Sequence, residues 1–195
     1  IPILEKEFCG TSLRIVQADI LHVRFDDILP ADISFVIAGN FPYNISSQIV
    51  FLGLQLRHRV PFMAGMFQKE MAERICSDPG SKAFGVISVL VQAYYNTSLL
   101  FTVKPGSFAP PPKVQSAVIS LTRYRHEIEG VPYNVLRQVV KMAFSQRRKK
   151  IRNTLKSLIP EETLKELALV DLRPEQLTVD QFITLARIVA TSPAI

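Results

Sequence analysis

The fold is decided by the stretch Ile33-Ser34-Phe35-Val36-Ile37-Ala38-Gly39-Asn40-Phe41-Pro42-Tyr43. Its first part is an apolar run, rich in β-branched and aromatic residues and ended by glycine, which predicts a buried parallel-sheet strand at 33–38. Ligands of open α/β sheets bind just beyond the carboxyl ends of such strands. The Asn-Phe-Pro-Tyr turn that follows therefore lies where a binding site is expected.

The residue types of this turn favour recognition of a planar base that carries an exocyclic amine. Asn40 offers an acceptor oxygen, and Pro42 fixes the turn so that nearby carbonyls face outward. Tyr43 offers a flat face for stacking. Asn and Pro are also ordinary turn residues, so the turn alone is equally compatible with a plain strand-to-helix connection.

Apolar periodicity predicts an α/β region followed by a helical region. An early strand is expected at 13–18, ending at Asp19, and a helix is expected to begin with Ser46 or Ser47 as its cap. The periodicity lapses at 124–132, so we divide the chain into domains at 1–125 and 126–195. The other predicted elements are strands at 60–67, 99–103 and 114–121, and helices at 68–76, 84–95, 134–144, 148–158, 162–169 and 179–190. Thr178 and Gln181 are expected to form a capping box at the start of the last helix.

A proline-rich loop at 107–118 is the second informative segment. Pro110, Pro111 and Pro112 form a stiff run that needs no hydrogen-bond partners. Such a loop can present the neighbouring Phe108 at low entropic cost, as a second stacking face opposite Tyr43 for an extruded base. The alternative is that Phe108 is only a covered hydrophobic residue beside a rigid loop.

A one-sign charge cluster is the third informative segment. The whole chain carries 23 Lys and Arg against 17 Asp and Glu. Solvated helix faces usually mix both signs to gain i,i+4 pairs, so a purely basic cluster favours a polyanionic partner. Every charged residue from 137 to 160 is basic: Arg137, Lys141, Arg147, Arg148, Lys149, Lys150, Arg152 and Lys156.

The cysteines and histidines give no sign of a metal site. Cys9 and Cys76 are far apart and form no CxxC pair, and two unpaired cysteines in a chain of this size favour a reducing compartment over a disulfide. His22, His58 and His126 are isolated and lack metal-ligand spacing, so we predict no metal. No uncharged apolar stretch is long enough to span a membrane, and no signal peptide is visible.

Four segments together resemble the bacterial ribosomal RNA adenine dimethyltransferases of the KsgA type. The four segments occur in the family's order over essentially the whole chain. Their combination is specific to the family, although no single motif is. The matching residues are Gln17-Ala18-Asp19-Ile20, then Asn40-Phe41-Pro42-Tyr43-Asn44-Ile45-Ser46, then Phe108-x-Pro110-Pro111-Pro112-Lys113-Val114-x-Ser116-Ala117-Val118, and Phe144-x-Gln146-Arg147-Arg148-Lys149-x-x-Arg152-Asn153-x-Leu155.

The resemblance implies an enzyme that uses S-adenosylmethionine to dimethylate N6 of two adjacent adenosines near the 3′ end of small-subunit rRNA. It implies an α/β fold with a Rossmann-like class I methyltransferase sheet, followed by a small all-helical domain. Residues 1–125 would be the C-terminal part of the catalytic domain, and 126–195 would bind RNA. The immature small ribosomal subunit would be the partner of a cytoplasmic monomer.

The resemblance also implies roles for particular residues. Asn40, Phe41, Pro42, Tyr43 and Phe108 would form the catalytic site. Asp19 and Ile20, together with Asn40, would contact the cofactor, although Asp19 alone is equally compatible with a cap or turn residue. The RNA-binding residues would be Arg147, Arg148, Lys149, Lys150 and Arg152.

The chain departs from the family pattern at two points. Phe41 replaces the usual leucine, which is tolerable because the implied role belongs to the backbone carbonyl. The glycine-rich turn after the first strand and the acid after the second are not found. We therefore expect these units to precede Ile1, and expect the chain as given to be a weak enzyme that binds the cofactor poorly.

Two rival functions follow from the same residues. A large-subunit rRNA methyltransferase of the macrolide-resistance type shares the Asn-x-Pro-Tyr and Pro-Lys-Val segments. It lacks the segment at 146–153, which favours the small-subunit type. A non-catalytic RNA-binding or ribosome-assembly factor is the other alternative, and cofactor titration distinguishes it from an enzyme.

Overall fold

The computed structural model describes residues 1–191. The chain divides into two compact units, Ile1–Ile33 and the residues from Ser34 onward. The first unit contains helix α1 (Pro2–Glu7) and a 3₁₀ turn at Phe25–Asp27. The predicted strand at 13–18 is wrong, since these residues form no regular element and have no ladder partner in the described chain. A strand exists only where a neighbour pairs its backbone groups, and hydrophobic pattern alone does not supply that neighbour.

The second unit is built on a four-stranded sheet in the order β1-β2-β4-β3. Strands β1 (Ile37–Asn40) and β2 (Phe62–Gln68) are parallel. Strand β4 (Ser116–Arg123) runs antiparallel to both β2 and its other neighbour, β3 (Tyr95–Val103). The sheet is therefore mixed, and β1 ends at the predicted turn.

Strand β1 begins later than the strand predicted at 33–38. Phe35 donates its backbone N–H to the carbonyl of Arg59, outside the ladder. Pairing with β2 starts only at Ile37, which is opposite Met63, and continues to Asn40, which is opposite Met66. The paired partner sets where the strand begins, so the apolar run overestimates its N-terminal end.

Helices cover the sheet and then continue to the end of the described chain. They are α2 (Ser46–Gln55), α3 (Lys69–Ile75), α4 (Val86–Gln92), α5 (Tyr133–Phe144), α6 (Ile151–Thr154), α7 (Glu161–Glu166) and α8 (Val179–Thr191). The helix predicted at 148–158 is reduced to the four residues of α6, and turns follow it. Ser46 is the first residue of α2 rather than its cap, because its hydroxyl donates back to the carbonyl of Tyr43.

Helix α8 begins as its sequence predicts. Gln181 Oε1 accepts the backbone N–H of Thr178, and Thr178 Oγ1 accepts the backbone N–H of Gln181, which completes a capping box. Phe182 on α8 stacks on Phe144 of α5 at 5.7 Å between ring centroids, and Phe144 contacts Phe84 at 6.4 Å. These aromatic contacts join the helical region to the sheet region. The domain division at 125/126 stays a prediction, and residues 192–195 of its second part lie outside the described residues.

Candidate functional site

The turn predicted as a site lines an open cleft of about 320 Å³ at the carboxyl end of β1. We name it the Asn40 cleft. All five residues expected to be catalytic border it, although 65 residues of sequence separate Tyr43 from Phe108. The lining residues are Asn40, Phe41, Pro42, Tyr43, Met66, Phe108, Pro110 and Pro112.

Phe41 anchors the turn to the sheet through two glycines. Its ring is buried, and it meets Phe67 edge to face with 5.3 Å between centroids. A Cβ atom at Gly65 would lie 2.2 Å from Phe41 Cε2, and one at Gly39 would lie 3.2 Å from Cε1. The missing side chains of Gly39 and Gly65 therefore make the space in which the Phe41 ring lies.

Tyr43 is held by the last strand of the chain. Its hydroxyl hydrogen-bonds the buried hydroxyl of Ser116 at 2.5 Å, where β4 begins. Its backbone carbonyl accepts the hydroxyl of Ser46 at 3.0 Å. The hydroxyl and the backbone of Tyr43 are therefore both held, while the side chain is only half-buried, which leaves part of its surface available to a ligand.

Phe108 is presented by the proline-rich loop, as predicted. A 3₁₀ turn at Pro105–Ser107 precedes it, and the N–H of Phe108 donates to the carbonyl of Pro105 at 3.2 Å. The Ala109–Pro110 peptide bond is cis. Phe108 is half-buried and borders the same cleft as Tyr43. Its stacking role stays a prediction.

Asn40 is the most available polar side chain of the cleft. It is exposed at the end of β1, and its amide makes no hydrogen bond to residues 1–191. A side-chain amide carries one acceptor oxygen and two N–H donors. Asn40 can therefore accept from an exocyclic amine without first breaking an internal bond.

Asp19 and Ile20 belong to the first unit. Asp19 Oδ1 accepts the N–H of Leu21 at 2.9 Å, and Oδ2 lies 2.8 Å from Nδ1 of His22. The hydrogen bond from Leu21, followed by that from His22, lowers the pKa of Asp19 below its usual value. Asp19 is thus a turn residue in this structure, and it stays ionised to lower pH than an isolated carboxyl. Its role toward the cofactor, like that of the half-buried Ile20, is untested.

The basic segment is more strongly engaged within the chain than its sequence suggests. A guanidinium nitrogen of Arg147 donates to the carbonyls of Lys82 at 2.6 Å and Phe84 at 3.0 Å. Arg147 also lies 3.9 Å from a carboxylate oxygen of Glu175. These contacts hold the loop before α4 against the end of α5, so Arg147 has a structural role whatever else it binds.

Two further cations of the segment share one carboxylate. Lys150 Nζ and a guanidinium nitrogen of Arg152 each lie 3.0 Å from Oδ1 of Asp171. The hydrogen bond from Lys150, and then the charge of Arg152, lower the pKa of Asp171. By contrast, Arg148 and Lys149 are exposed, and their side chains have no partner within residues 1–191. Of the five predicted RNA-binding residues, these two carry the least compensated charge.

A second cavity, of about 660 Å³, borders the Asn40 cleft and was not predicted. Tyr43 belongs to the lining of both. Its walls come from α2, α3, α5 and the loop before α4, which lie far apart in sequence. No periodicity or motif indicates that these elements converge, so only the packed structure reveals the cavity.

Two other kinds of site are absent from residues 1–191. No three His, Cys, Asp or Glu side chains of this range lie close enough together to hold a metal ion. No helix in the same range has the length and apolar character needed to cross a bilayer.

Comparison with known proteins gives the family. The model of the family described as ribosomal RNA adenine dimethylase matches residues 2–191. The protein named ribosomal RNA small subunit methyltransferase A is 48% identical over 174 residues in Flavobacterium johnsoniae, which is 89% of this chain and 66% of the relative. Its Porphyromonas gingivalis counterpart is 44% identical over 183 residues, 93% of this chain and 71% of the relative. The chain spans about two thirds of the length of these relatives.

Solved structures confirm the predicted fold class. A dimethyladenosine transferase from Plasmodium falciparum superimposes with a TM-score of 0.78 at 22% identity, over 94% of this chain and 74% of that one. The 23S rRNA methyltransferase ErmE superimposes with a TM-score of 0.66 at 21% identity, over 96% of this chain and 77% of that one. With the family model covering nearly all its residues, the chain belongs to the ribosomal RNA adenine dimethylase family.

Proposed function

We propose that this protein transfers methyl groups from S-adenosylmethionine to N6 of two adjacent adenosines near the 3′ end of small-subunit rRNA. The observation that carries the proposal is the Asn40 cleft, where an unpaired amide and two aromatic side chains border one space. The curated relatives are named as small-subunit enzymes at 44–48% identity. The protein would act as a cytoplasmic monomer on the immature small subunit.

The residues of the cleft match the needs of the target amine. The N6 lone pair of adenine is delocalised into the ring, so it is a poor nucleophile. If Asn40 Oδ1 and the carbonyl of Phe41 accept the two N6 hydrogens, that delocalisation weakens and the lone pair becomes available. The catalytic contribution of these groups is then positioning and electrostatic stabilisation.

An extruded base needs surfaces that replace the stacking it had in its helix. Tyr43 and Phe108 border the cleft and would supply such surfaces, each on a side chain that the fold restrains. Stacking on aromatic residues is worth on the order of 1–3 kcal/mol per base. This gain offsets the cost of removing the adenosine from its helix.

The residues expected to contact S-adenosylmethionine have side chains that can bind it. S-adenosylmethionine, when bound, supplies an electrophilic methyl group, so the protein needs no strong general base. Asn40 has a free amide at the carboxyl end of a parallel strand, where nucleotide-like ligands bind. Asp19 retains unused lone pairs and a 55% exposed side chain, so it can accept a further hydrogen bond, from the cofactor's adenine amine.

The two rival functions are less well supported. The relatives that match at 44–48% identity are named for the small subunit, which disfavours a large-subunit target. A non-catalytic RNA-binding factor would not need an unpaired amide between aromatic residues. Binding of RNA without methyl transfer would favour that second alternative.

Replacement of Asn40 by alanine tests the proposal. We expect Asn40→Ala to lower methyl transfer to immature small subunits by on the order of a hundredfold, since it removes one preorganised electrostatic contact. Affinity for the same particles should stay nearly unchanged, because Asn40 acts on the base and not on phosphates. Transfer of radioactive methyl groups and filter binding measure the two quantities. Loss of binding that matches the loss of rate would refute the role of Asn40.

A further inference from the structure

The second cavity lies over the same end of the sheet as the Asn40 cleft, and we name it the Lys141 cavity. Met66 of β2 borders the cleft, and Gln68, two residues further along β2, borders the cavity. Tyr43 borders both spaces. A chain whose base occupies the Asn40 cleft therefore has a second compartment immediately across Tyr43.

The charged residues of the Lys141 cavity are all cationic. They are Arg74, Lys141 and Arg147, and no acidic residue contributes to the lining. Arg74 pairs with Glu70 at 2.9 Å outside the cavity, and Arg147 donates to backbone carbonyls. Lys141 is exposed, and its ammonium has no partner within residues 1–191. It is the cation of this cavity that is free to bind an anion.

The remainder of the lining includes apolar and aromatic side chains. Ser47 and Phe51 lie one turn apart on the face of α2 that borders the cavity, and Met71 of α3 and Ile87 of α4 also contribute to the lining. Phe51 is half-buried, so part of its ring is accessible from the cavity. A lining that combines an accessible aromatic ring with a free cation fits a ligand that is flat at one end and anionic at the other.

We propose that the Lys141 cavity binds the nucleotide next to the adenosine in the Asn40 cleft, with its base on Phe51 and its phosphate on Lys141. This rests on the proposed function, because a neighbouring nucleotide exists only if the cleft holds an RNA residue. The cavity then fixes the RNA on both sides of Tyr43. Such a subsite would set which adenosine of an adjacent pair enters the cleft.

Two double-mutant cycles with modified RNA test the proposal. The probe is a ten-nucleotide single-stranded RNA that contains the adjacent adenosines. Its neighbouring nucleotide on either flank is made abasic, or the linkage to it is replaced by an uncharged methylphosphonate. These RNAs are titrated against the protein, Phe51→Leu and Lys141→Gln. Phe51→Leu keeps an apolar side chain of similar volume but removes the flat aromatic face.

The matched control is Arg137→Gln, one turn before Lys141 on α5. It removes the same charge from the same helix, but Arg137 does not border the cavity. Thermal melting verifies that each variant is folded. Arg137→Gln should retain the full penalty of both RNA modifications.

On one flank, the abasic change should weaken binding to the protein about fivefold or more, the loss expected for one stacked base. That penalty should nearly vanish in Phe51→Leu. The methylphosphonate penalty should likewise vanish in Lys141→Gln. The inference would be wrong if, on both flanks, the penalty of the RNA modification and that of the protein substitution simply add. If the protein still methylates that RNA, the proposed function stands. If the protein methylates neither this RNA nor immature small subunits, the proposed function fails as well.

Discussion

The Asn40 cleft and the basic segment at 147–152 were both predicted as functional regions, but they differ in how many of their side chains already have partners within the chain. In the cleft, side chains from β1, β2 and the proline-rich loop converge, and the amide of Asn40 stays unpaired. In the basic segment, Arg147, Lys150 and Arg152 have partners within the chain. A turn fixed by backbone geometry thus places its side chains reliably, whereas a charge run does not say which charges remain available.

Substitution of Gly65 tests whether backbone geometry alone defines the cleft, and we expect the largest effect here. The new Cβ of Gly65→Ala would lie 2.2 Å from Phe41 Cε2 and 2.9 Å from the carbonyl oxygen of Gly39. Overpacking of this kind costs about 1–3 kcal/mol of stability. Because Phe41 carries the proposed carbonyl acceptor, methyl transfer should also fall by on the order of a hundredfold. Thermal melting and transfer assays measure the two losses.

Two further variants separate this mechanism from a general disturbance of the sheet. Gly39→Ala should be milder, since its Cβ would lie 3.2 Å from Phe41 Cε1. Phe41→Leu in the Gly65→Ala background removes part of the clashing ring and should restore much of the stability. If the double variant is no better than Gly65→Ala, contact with Phe41 is not the cause.

Phe108→Ala comes next in expected size. Loss of one stacking face should cost on the order of 1–3 kcal/mol in productive base placement. Phe108→Tyr keeps the aromatic face and should be mild. Turnover with unmethylated small subunits at saturating cofactor is the measurement. Unchanged turnover in Phe108→Ala would mean that Phe108 is only a packing residue, which is the alternative left open by the sequence.

The sequence was most informative where one segment fixes its own geometry. The carboxyl end of β1, the turn at Asn40 and the presenting loop at Phe108 follow from local residue types, and all three border the cleft. The capping box of α8 is equally local, and it is confirmed. The α/β sequence of elements and the family follow from the same segments.

The sequence was least informative where a distant partner decides the outcome. The residues at 13–18 have a strand-like pattern but no ladder partner within the described chain. The buried contacts of Gly65 with Phe41, and of Ser116 with Tyr43, depend on the register between strands. A single sequence does not give that register. The pairing of Asp171 with two cations has the same origin, because 19 to 21 residues separate the partners.

The unpaired and the paired cations of the basic segment should contribute differently to the salt dependence of RNA binding. Arg148→Gln with Lys149→Gln removes the two cations that lack partners in the described chain. The slope of log K against log salt should flatten by about 0.7–0.9 for each phosphate that the protein no longer neutralises. The matched pair Lys150→Gln with Arg152→Gln should flatten it less, because Asp171 pairs with both cations and offsets one of their two charges. Equal slopes for the two pairs would remove the distinction, and an unchanged slope in both would mean that the segment does not face RNA.

Asp171→Asn should give the smallest change, and it should steepen the salt slope of RNA binding where the previous variants flatten it. Asp171 has a lowered pKa, so its pairs with Lys150 and Arg152 are present at neutral pH and are lost only as the pH falls below the usual 3.8. Removing its charge at neutral pH releases both cations, and the salt slope should steepen by up to about 0.7–0.9 for each cation that then binds a phosphate. The gain should stay below that limit because exposed ion pairs withhold their charges only weakly. Glu161→Gln is the control, since it frees Lys165 outside the segment by the same change of charge. A steeper slope in Asp171→Asn but not in Glu161→Gln would mean that a carboxylate 19 to 21 residues away sets how much of the basic segment reaches RNA.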